Sequence, residues 1–350
     1  MANETIHRVL VRCVNWIGDA VMATPALAAI RGHFPQADIT LLANPLVAQL
    51  FTPHPAVDRV MTFDRTGRHR GLTGRLRLAR ELRAERFQLA IILPNSFDAA
   101  LVPWLAGIPA RLGKRSDGRG LLLTACYAPD DQPPLPHEVD YYRHLVGAFG
   151  IDAPTAPLCL TTTSSEDRTA AELLAAHGIK PEDAVIGVNP GATYGAAKRW
   201  YPDRFADVAR QLAAAWGARP VIFGSPNEAG IAADIEQRLE GAGLNMAGKT
   251  SVRELMALIK RCTFFITNDS GPMHIAAAFD VPTVAIFGST DHATTSPYGN
   301  RAIIIRHDTD CAPCKLRECP TDHRCMTAVT VDDVVQAALR LRQRITGAGL

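Results

Sequence analysis

Short unbroken apolar runs alternate along the chain with longer stretches in which apolar residues recur every three or four positions. The runs are 8–14, 39–43, 57–63 and 88–94 in the first half, and 184–189, 221–223, 244–246, 264–267 and 283–287 in the second. Leu89-Ala-Ile-Ile-Leu93 shows no polar alternation, which marks a strand buried on both faces of a parallel sheet. Helical spacing fills the intervals at 20–32, 72–86, 165–177 and 229–239, and an amphipathic helix closes the chain over about 331–346. Ser164 or Ser165 suits the cap of the third of these helices. Strands interleaved with helices predict an α/β fold, doubly wound, with sheets covered on both faces.

The pattern fails between Tyr127 and Pro157, where Pro129, Pro133, Pro134, Pro136, Pro154 and Pro157 leave room for one helix at 139–149. A boundary in or just after this region gives two domains, 1–165 and 166–330. Ligand sites in such sheets lie beyond the carboxyl ends of the strands, so the turns there are the candidates. In FFITNDSGPMHIAAA (264–278) a polar turn hands a strand on to a helix opened by Pro272. Its N–H groups and partial positive charge suit an anion, and His274 falls one turn in. Asp269 and Ser270 equally fit ordinary caps. After the first strand, Asn15-Trp-Ile-Gly-Asp19 offers Asp19 as the best single general base, or as a plain helix cap. PGATYGAAKRWYP (190–202) places two glycines, Thr193 and Lys198 at another strand end. That loop could clamp a diphosphate or simply carry a solvated lysine.

With 350 residues, 47% hydrophobic and 21% charged, the composition is that of a soluble protein of two packed domains. No apolar run reaches the length of a membrane span and 1–13 does not read as a signal peptide, so a cytoplasmic location is expected. A formal charge of +2 gives no case for nucleic acid. Between 65 and 86, however, eight arginines face only Glu81 and Glu85, either as a solvated helix face or as a surface for an anionic partner. Cysteines 13, 126, 159 and 262 sit in apolar surroundings as small core residues. Cys311, Cys314, Cys319 and Cys325 could close a tetrahedral zinc site or remain reduced structural thiols. Asp308-Thr-Asp310 is a D-x-D in a polar connector, too short a pattern to assign a metal. The 243–250 segment satisfies G-x-x-x-x-G-K-[ST], yet it follows a helix, contains the strand-like 244–246, and precedes a capping box at Ser251 and Glu254. Neither the paired carboxylates of a hydrolase nor a G-x-S-x-G elbow is evident.

NWIGDAVMATPAL (15–27), NPGATYGAAKRWYP (189–202), TNDSGPMHIAAA (267–278) and FGSTDHATTSPY (287–298) together resemble glycosyltransferase family 9, in the right order and over almost the whole chain. Within it, the late cysteines resemble the heptosyltransferases that add a second heptose. The resemblance implies a GT-B fold, two Rossmann-like domains facing each other across a cleft, with the last helix returning to the first. It implies inverting transfer of L-glycero-D-manno-heptose from ADP-L-glycero-β-D-manno-heptose to the first heptose of the Kdo-lipid A core, in lipopolysaccharide biosynthesis of Gram-negative bacteria. No cofactor is required, and the enzyme visits the inner face of the inner membrane. Asp19 matches the base, Thr193 and Lys198 the contacts to the donor phosphates, and Asp269, Ser270, Gly271 and His274 the donor-binding turn. Glu228 matches the acidic residue on the ribose, and Lys249 and Thr250 would line the adenine pocket. Arg65, Arg68, Arg70 and Arg75 would then meet the anionic acceptor. An alternative within the family is a transferase of the heptosyltransferase I or III type, with a different donor or acceptor; two readings of other classes are a small-molecule kinase using the 243–250 motif and a non-catalytic protein that binds nucleotide or zinc.

Overall fold

The structure, a computed structural model, describes residues 6–128 and 137–347, so Pro129, Pro133, Pro134 and Pro136 lie outside the described residues. The chain divides into two compact units, Met1–Thr161 and Thr162–Leu350. The division falls ahead of the expected 165/166 because the helix Ser164–Ala176 belongs whole to the second unit. Thr163, not Ser164 or Ser165, caps it: its hydroxyl accepts from Glu166 N while the Glu166 carboxylate accepts from Thr163 N at 2.7 Å.

Each unit holds one six-stranded, all-parallel sheet. The first comprises β1 (Arg8–Arg12), β2 (Asp38–Ala43), β3 (Arg59–Thr62), β4 (Leu89–Ile92), β5 (Ala110–Lys114) and β6 (Ala125–Tyr127), in the order β3-β2-β1-β4-β5-β6. The second comprises β7 (Val185–Asn189), β8 (Arg219–Ile222), β9 (Leu244–Asn245), β10 (Phe264–Asn268), β11 (Thr283–Ile286) and β12 (Ala302–Ile305), in the order β12-β11-β10-β7-β8-β9. Counted from its own first strand, the second sheet repeats the order of the first. In both, the direction of strand progression reverses once, between β1 and β4 and between β7 and β10. Such reversals open the crevice in which doubly wound sheets bind ligands.

The strands supply the apolar middle of each unit. Leu10, Leu42 and Ile92 pack with Phe63, Leu78 and Leu82 in the first. Val188, Ile222, Ile266 and Ile286 pack with Phe205 and Leu212 in the second. The closing helix Val331–Gly347 buries Val334, Ala337, Ala338 and Leu341 in that second core, against the helix Pro202–Trp216, β11 and β12. Spaced by three or four residues, these side chains form its apolar stripe. That stripe is spent on the second unit, where the resemblance implies a return to the first.

The expected 20–32 helix is two helices, Ile17–Met22 and Thr24–His33. Pro25 has no N–H to continue the first, and the Thr24 hydroxyl donates instead to the Val21 carbonyl at 2.7 Å.

Candidate active site

At the switch point of the second sheet, β7 ends on Asn189 and β10 on Asn268, both buried. The Asn189 amide donates to the hydroxyls of Thr267 (3.0 Å) and Ser270 (2.8 Å). Asn268 accepts from Trp200 N at 3.0 Å and donates to the Pro190 carbonyl at 2.7 Å. These two side chains lock the Gly-rich loop after β7 to the turn after β10. The helix Gly271–Ala278 starts in that turn with Pro272 at its second position rather than its first. Ser270 is its N-cap residue but makes no side-chain cap bond, since its hydroxyl is engaged by Asn189. The start of the helix therefore keeps its capacity for an anion. Lys198 Nζ donates to Asp269 Oδ2 at 2.6 Å, the same oxygen accepts from Thr290 Oγ1 at 2.5 Å, and Nζ lies 5.0 Å from the Tyr194 ring centre. Asp269 and His274 are both buried, and Thr193 is exposed on the loop.

Beyond β8, Glu228 Oε2 accepts from Ser225 N and Oγ, each at 2.8 Å. Its Oε1 is buried without a hydrogen-bond partner and lies 4.0 Å from Arg199 Nη2. The carboxylate leans on Gly191, where a Cβ would stand 2.3 Å from it, so that glycine is needed for close approach. Beyond β9, Lys249 Nζ folds back on its own strand and donates to the Asn245 carbonyl at 2.8 Å, with Thr250 next in the chain. The carboxyl ends of β9, β8, β7 and β10 thus carry Lys249 and Thr250, Glu228, Thr193 and Lys198, and Asp269 to Gly271, in that spatial order. Three steps between neighbouring strands span about 14 Å.

At the switch point of the first sheet, β1 leads to Trp16, the N-cap of Ile17–Met22, and Asp19 stands in the first turn rather than at the cap. The buried Arg12 holds the strand end, donating to the Cys13 and Leu42 carbonyls and to Asn15 Oδ1 (3.1 Å), and burial brings its pKa down to about 10. The Asp19 helix packs against the helix Glu138–Gly147. Burial raises the Glu138 carboxyl above its usual range, and the negative charge of Asp19 adds to the effect. Further along that helix, the Tyr141 hydroxyl donates to Asn95 Oδ1 at 2.8 Å and its ring lies 5.4 Å from Lys114 Nζ. Burial pushes this phenol up to about 12. Asn95 follows β4 and Lys114 ends β5, so Glu138, Tyr141, Asn95 and Lys114 join Asp19 around one switch point. Sequence reasoning missed all four. Only Asn95, directly beyond the 88–94 apolar run, carried the strand-end signal that singled out Asp19.

Residues 75–324 match glycosyltransferase family 9 (heptosyltransferase). The chain belongs to this family. Lipopolysaccharide heptosyltransferase 2 of Salmonella typhimurium is 33% identical over 309 residues, covering 85% of this chain and 88% of its own length. The structure of the Escherichia coli ADP-heptose lipopolysaccharide heptosyltransferase II superposes with a TM-score of 0.81 at 28% identity, covering 97% of this chain and 99% of that one. A glycosyltransferase family 9 structure from Veillonella parvula gives 0.88 at 26% identity, covering 97% and 98%. The two parallel sheets with flanking helices are those of the GT-B heptosyltransferases, and the chain is a family 9 transferase.

In this family 9 enzyme the 243–250 motif is no phosphate loop: β9 lies inside it, and the capping box of Ser251 and Glu254 starts the helix Val252–Arg261 only after Thr250. Among the described residues no group of three His, Cys, Asp or Glu is placed to hold a metal ion. Cys311, Cys314, Cys319 and Cys325 are free thiols, and Cys325 is spent on the second core beside Gly288. Asp308 of the D-x-D pairs with Arg306. Of the four arginines expected to meet an acceptor, Arg68 pairs with Glu81 and Arg75 with Asp98 within the first unit. Arg65 and Arg70, with Arg77 and Arg80, are exposed, and among the described residues no carboxylate pairs with them. No helix among the described residues is long and apolar enough to cross a membrane.

Proposed function

We infer that this family 9 enzyme transfers L-glycero-D-manno-heptose from ADP-heptose to the first heptose of the Kdo-lipid A core, with inversion at the anomeric carbon. The observation that carries the donor reading is the row of groups on the ends of β9, β8, β7 and β10. Glu228 offers ribose hydroxyls a buried carboxylate oxygen that makes no hydrogen bond, Lys249 and Thr250 flank it on the adenine side, and Lys198 with the start of Gly271–Ala278 meets the diphosphate on the other. Asp269 and Thr290 hold Lys198 in position for that anion.

On the first unit, Asp19 takes the proton from the acceptor hydroxyl as that oxygen attacks the anomeric carbon and the bond to ADP breaks. The negative charge that grows on the departing diphosphate is met by groups already oriented, chiefly Lys198 and the helix N–H groups, at no cost of reorganisation. One displacement uses one base.

A bilayer-borne acceptor also accounts for the surface of the first unit. Leu72, Leu76, Phe97, Trp104 and Leu121 are exposed on three elements, the helix Gly71–Ala84, the turn Arg119–Leu122 and, in contact with each of these, the helix Phe97–Leu105. The exposed arginines flank them, a combination suited to a transient visit to an anionic membrane surface. The enzyme is cytoplasmic in this reading. Mass-spectrometric product analysis with ADP-heptose and monoheptosylated Kdo-lipid A tests the function: the product gains one heptosyl unit. Transfer only to a Kdo-lipid A lacking heptose moves the enzyme to the first step of the core, and no transfer from ADP-heptose to either overturns the reading.

A further inference from the structure

The cysteine-bearing segment around residues 311–325 belongs to none of the roles above, yet it is sewn to both loops that hold Lys198. Lys315 N donates to the Ser289 carbonyl at 2.7 Å, next to Thr290. The Tyr194 hydroxyl donates to the Lys315 carbonyl at 2.8 Å, and Ala197 N to the Arg317 carbonyl at 2.9 Å. His323 Nε2 lies 3.0 Å from the Ala197 carbonyl. Gly195 makes the approach possible, since a Cβ there would stand 2.2 Å from the Arg317 oxygen. The segment is a strap across the Gly-rich loop, fastened through its own backbone at Lys315 and Arg317 and through the His323 side chain.

The fastening delivers one side chain. The Arg317 guanidinium lies 5.4 Å from the centre of the Tyr194 ring, the ring that Lys198 Nζ approaches to 5.0 Å. Two cations around one ring repel each other. Asp269 balances Lys198, whereas among the described residues no carboxylate forms an ion pair with Arg317, which is exposed. An exposed guanidinium over the ring that also packs on Lys198 has the fork geometry that takes two phosphate oxygens at once.

We propose that Arg317 is a second cation of the donor site, binding the diphosphate of the nucleotide sugar together with Lys198. This rests on the reading of Lys198 as a diphosphate contact. The strap's backbone bonds place it, so removing the side chain leaves the loop fastened.

The test is ADP binding by titration calorimetry at two salt concentrations, with the full chain and three variants, alongside steady-state kinetics. Arg317→Gln is expected to weaken ADP about tenfold, the worth of one charge-assisted contact, and to flatten the salt dependence. It should raise KM for ADP-heptose while leaving adenosine affinity and KM for the acceptor unchanged. Arg317→Lys should recover most of the ADP affinity. Equal ADP affinity in wild type and Arg317→Gln overturns the inference, as does an equal loss of adenosine affinity, which marks a merely structural role. Lys198→Ala separates the two readings: if it weakens ADP and Arg317→Gln does not, only the role of Arg317 falls, and if neither weakens ADP, the diphosphate site itself falls.

Discussion

The two switch points are built on one strand order, yet the residues at their turns differ in burial. In the second unit, Asn189, Asn268, Asp269, Lys198 and Thr290 bond to one another, to the Thr267 and Ser270 hydroxyls or to backbone and are mostly buried. In the first unit, Asn15, Trp16, Asn95 and Phe97 around the corresponding turns are exposed. The surfaces differ in the same sense. Among the described residues, Trp16, Leu46, Leu72, Leu76, Phe97, Trp104 and Leu121 are the exposed large hydrophobics of the first unit, against Leu316 and Leu339 in the second. A small, rigid, doubly charged ligand calls for a preorganised cradle, whereas a large acceptor carried by a membrane calls for an open and partly apolar face.

The sharpest way to break this comparison is Asp19→Asn. Loss of a general base costs roughly 10²- to 10⁴-fold in rate, and kcat should fall by that amount while ADP affinity stays within a few-fold of wild type. A variant that keeps its rate removes Asp19 from the chemistry, and one that loses ADP binding equally dissolves the division of labour between the units. Lys198→Ala comes next. Taking away one preorganised charge on the leaving group costs about 10²- to 10³-fold in kcat/KM. The loss should show with ADP-heptose and spare KM for the acceptor.

How much of this could be read from the chain depends on where the information is stored. The buried strands β1, β4, β7, β10 and β11 stand out as unbroken apolar runs, and the turns behind them follow, because burial on both faces leaves the strand no polar alternation. β5 reads Ala-Arg-Leu-Gly-Lys and β6 spans only Ala125–Tyr127, so each lacks an apolar run. β12, Ala302–Ile305, and the helix Phe97–Leu105, with Pro103 inside it, are likewise not among the expected elements. The positions of Asp19 and of the proposed donor contacts were legible because each stands just past a recognisable strand. Glu138, Tyr141 and Lys114 were not, since they converge from a helix and a polar strand through tertiary packing alone. The strap holding Arg317 left no periodic trace, because its fastening is made mostly by backbone groups.

A smaller effect sharpens the contrast in stability. Asn268→Ala strips the Trp200 amide and the Pro190 carbonyl of their buried partner, and with roughly 1–3 kcal/mol for each stranded group urea unfolding should show a loss of about 2–6 kcal/mol. Asn95→Ala, at the equivalent turn of the first sheet but exposed, removes one acceptor, that of the Tyr141 hydroxyl, and should cost about 1 kcal/mol. Similar losses for both would mean that the first switch point is as rigid as the second.

The smallest effect is the acid dependence of the brace between the helices Ser164–Ala176 and Val252–Arg261. Arg253 Nε and Nη2 donate to the two Glu166 oxygens at 2.7 and 2.5 Å, and this contact, with the Thr163 N–H, holds the Glu166 carboxyl down at about 2. A depressed carboxyl stabilises the fold above its unfolded pKa of about 4.3, and that contribution is lost as pH falls toward the folded value. The pair is partly exposed, so solvent screening leaves it about 1 kcal/mol. The stability difference between wild type and Arg253→Met should therefore be level from pH 7 to about 5 and shrink between about pH 4.5 and 2. A difference that stays constant across that window would show that Arg253 acts through its packing and not its charge. The second unit's order would then rest on its buried amides alone.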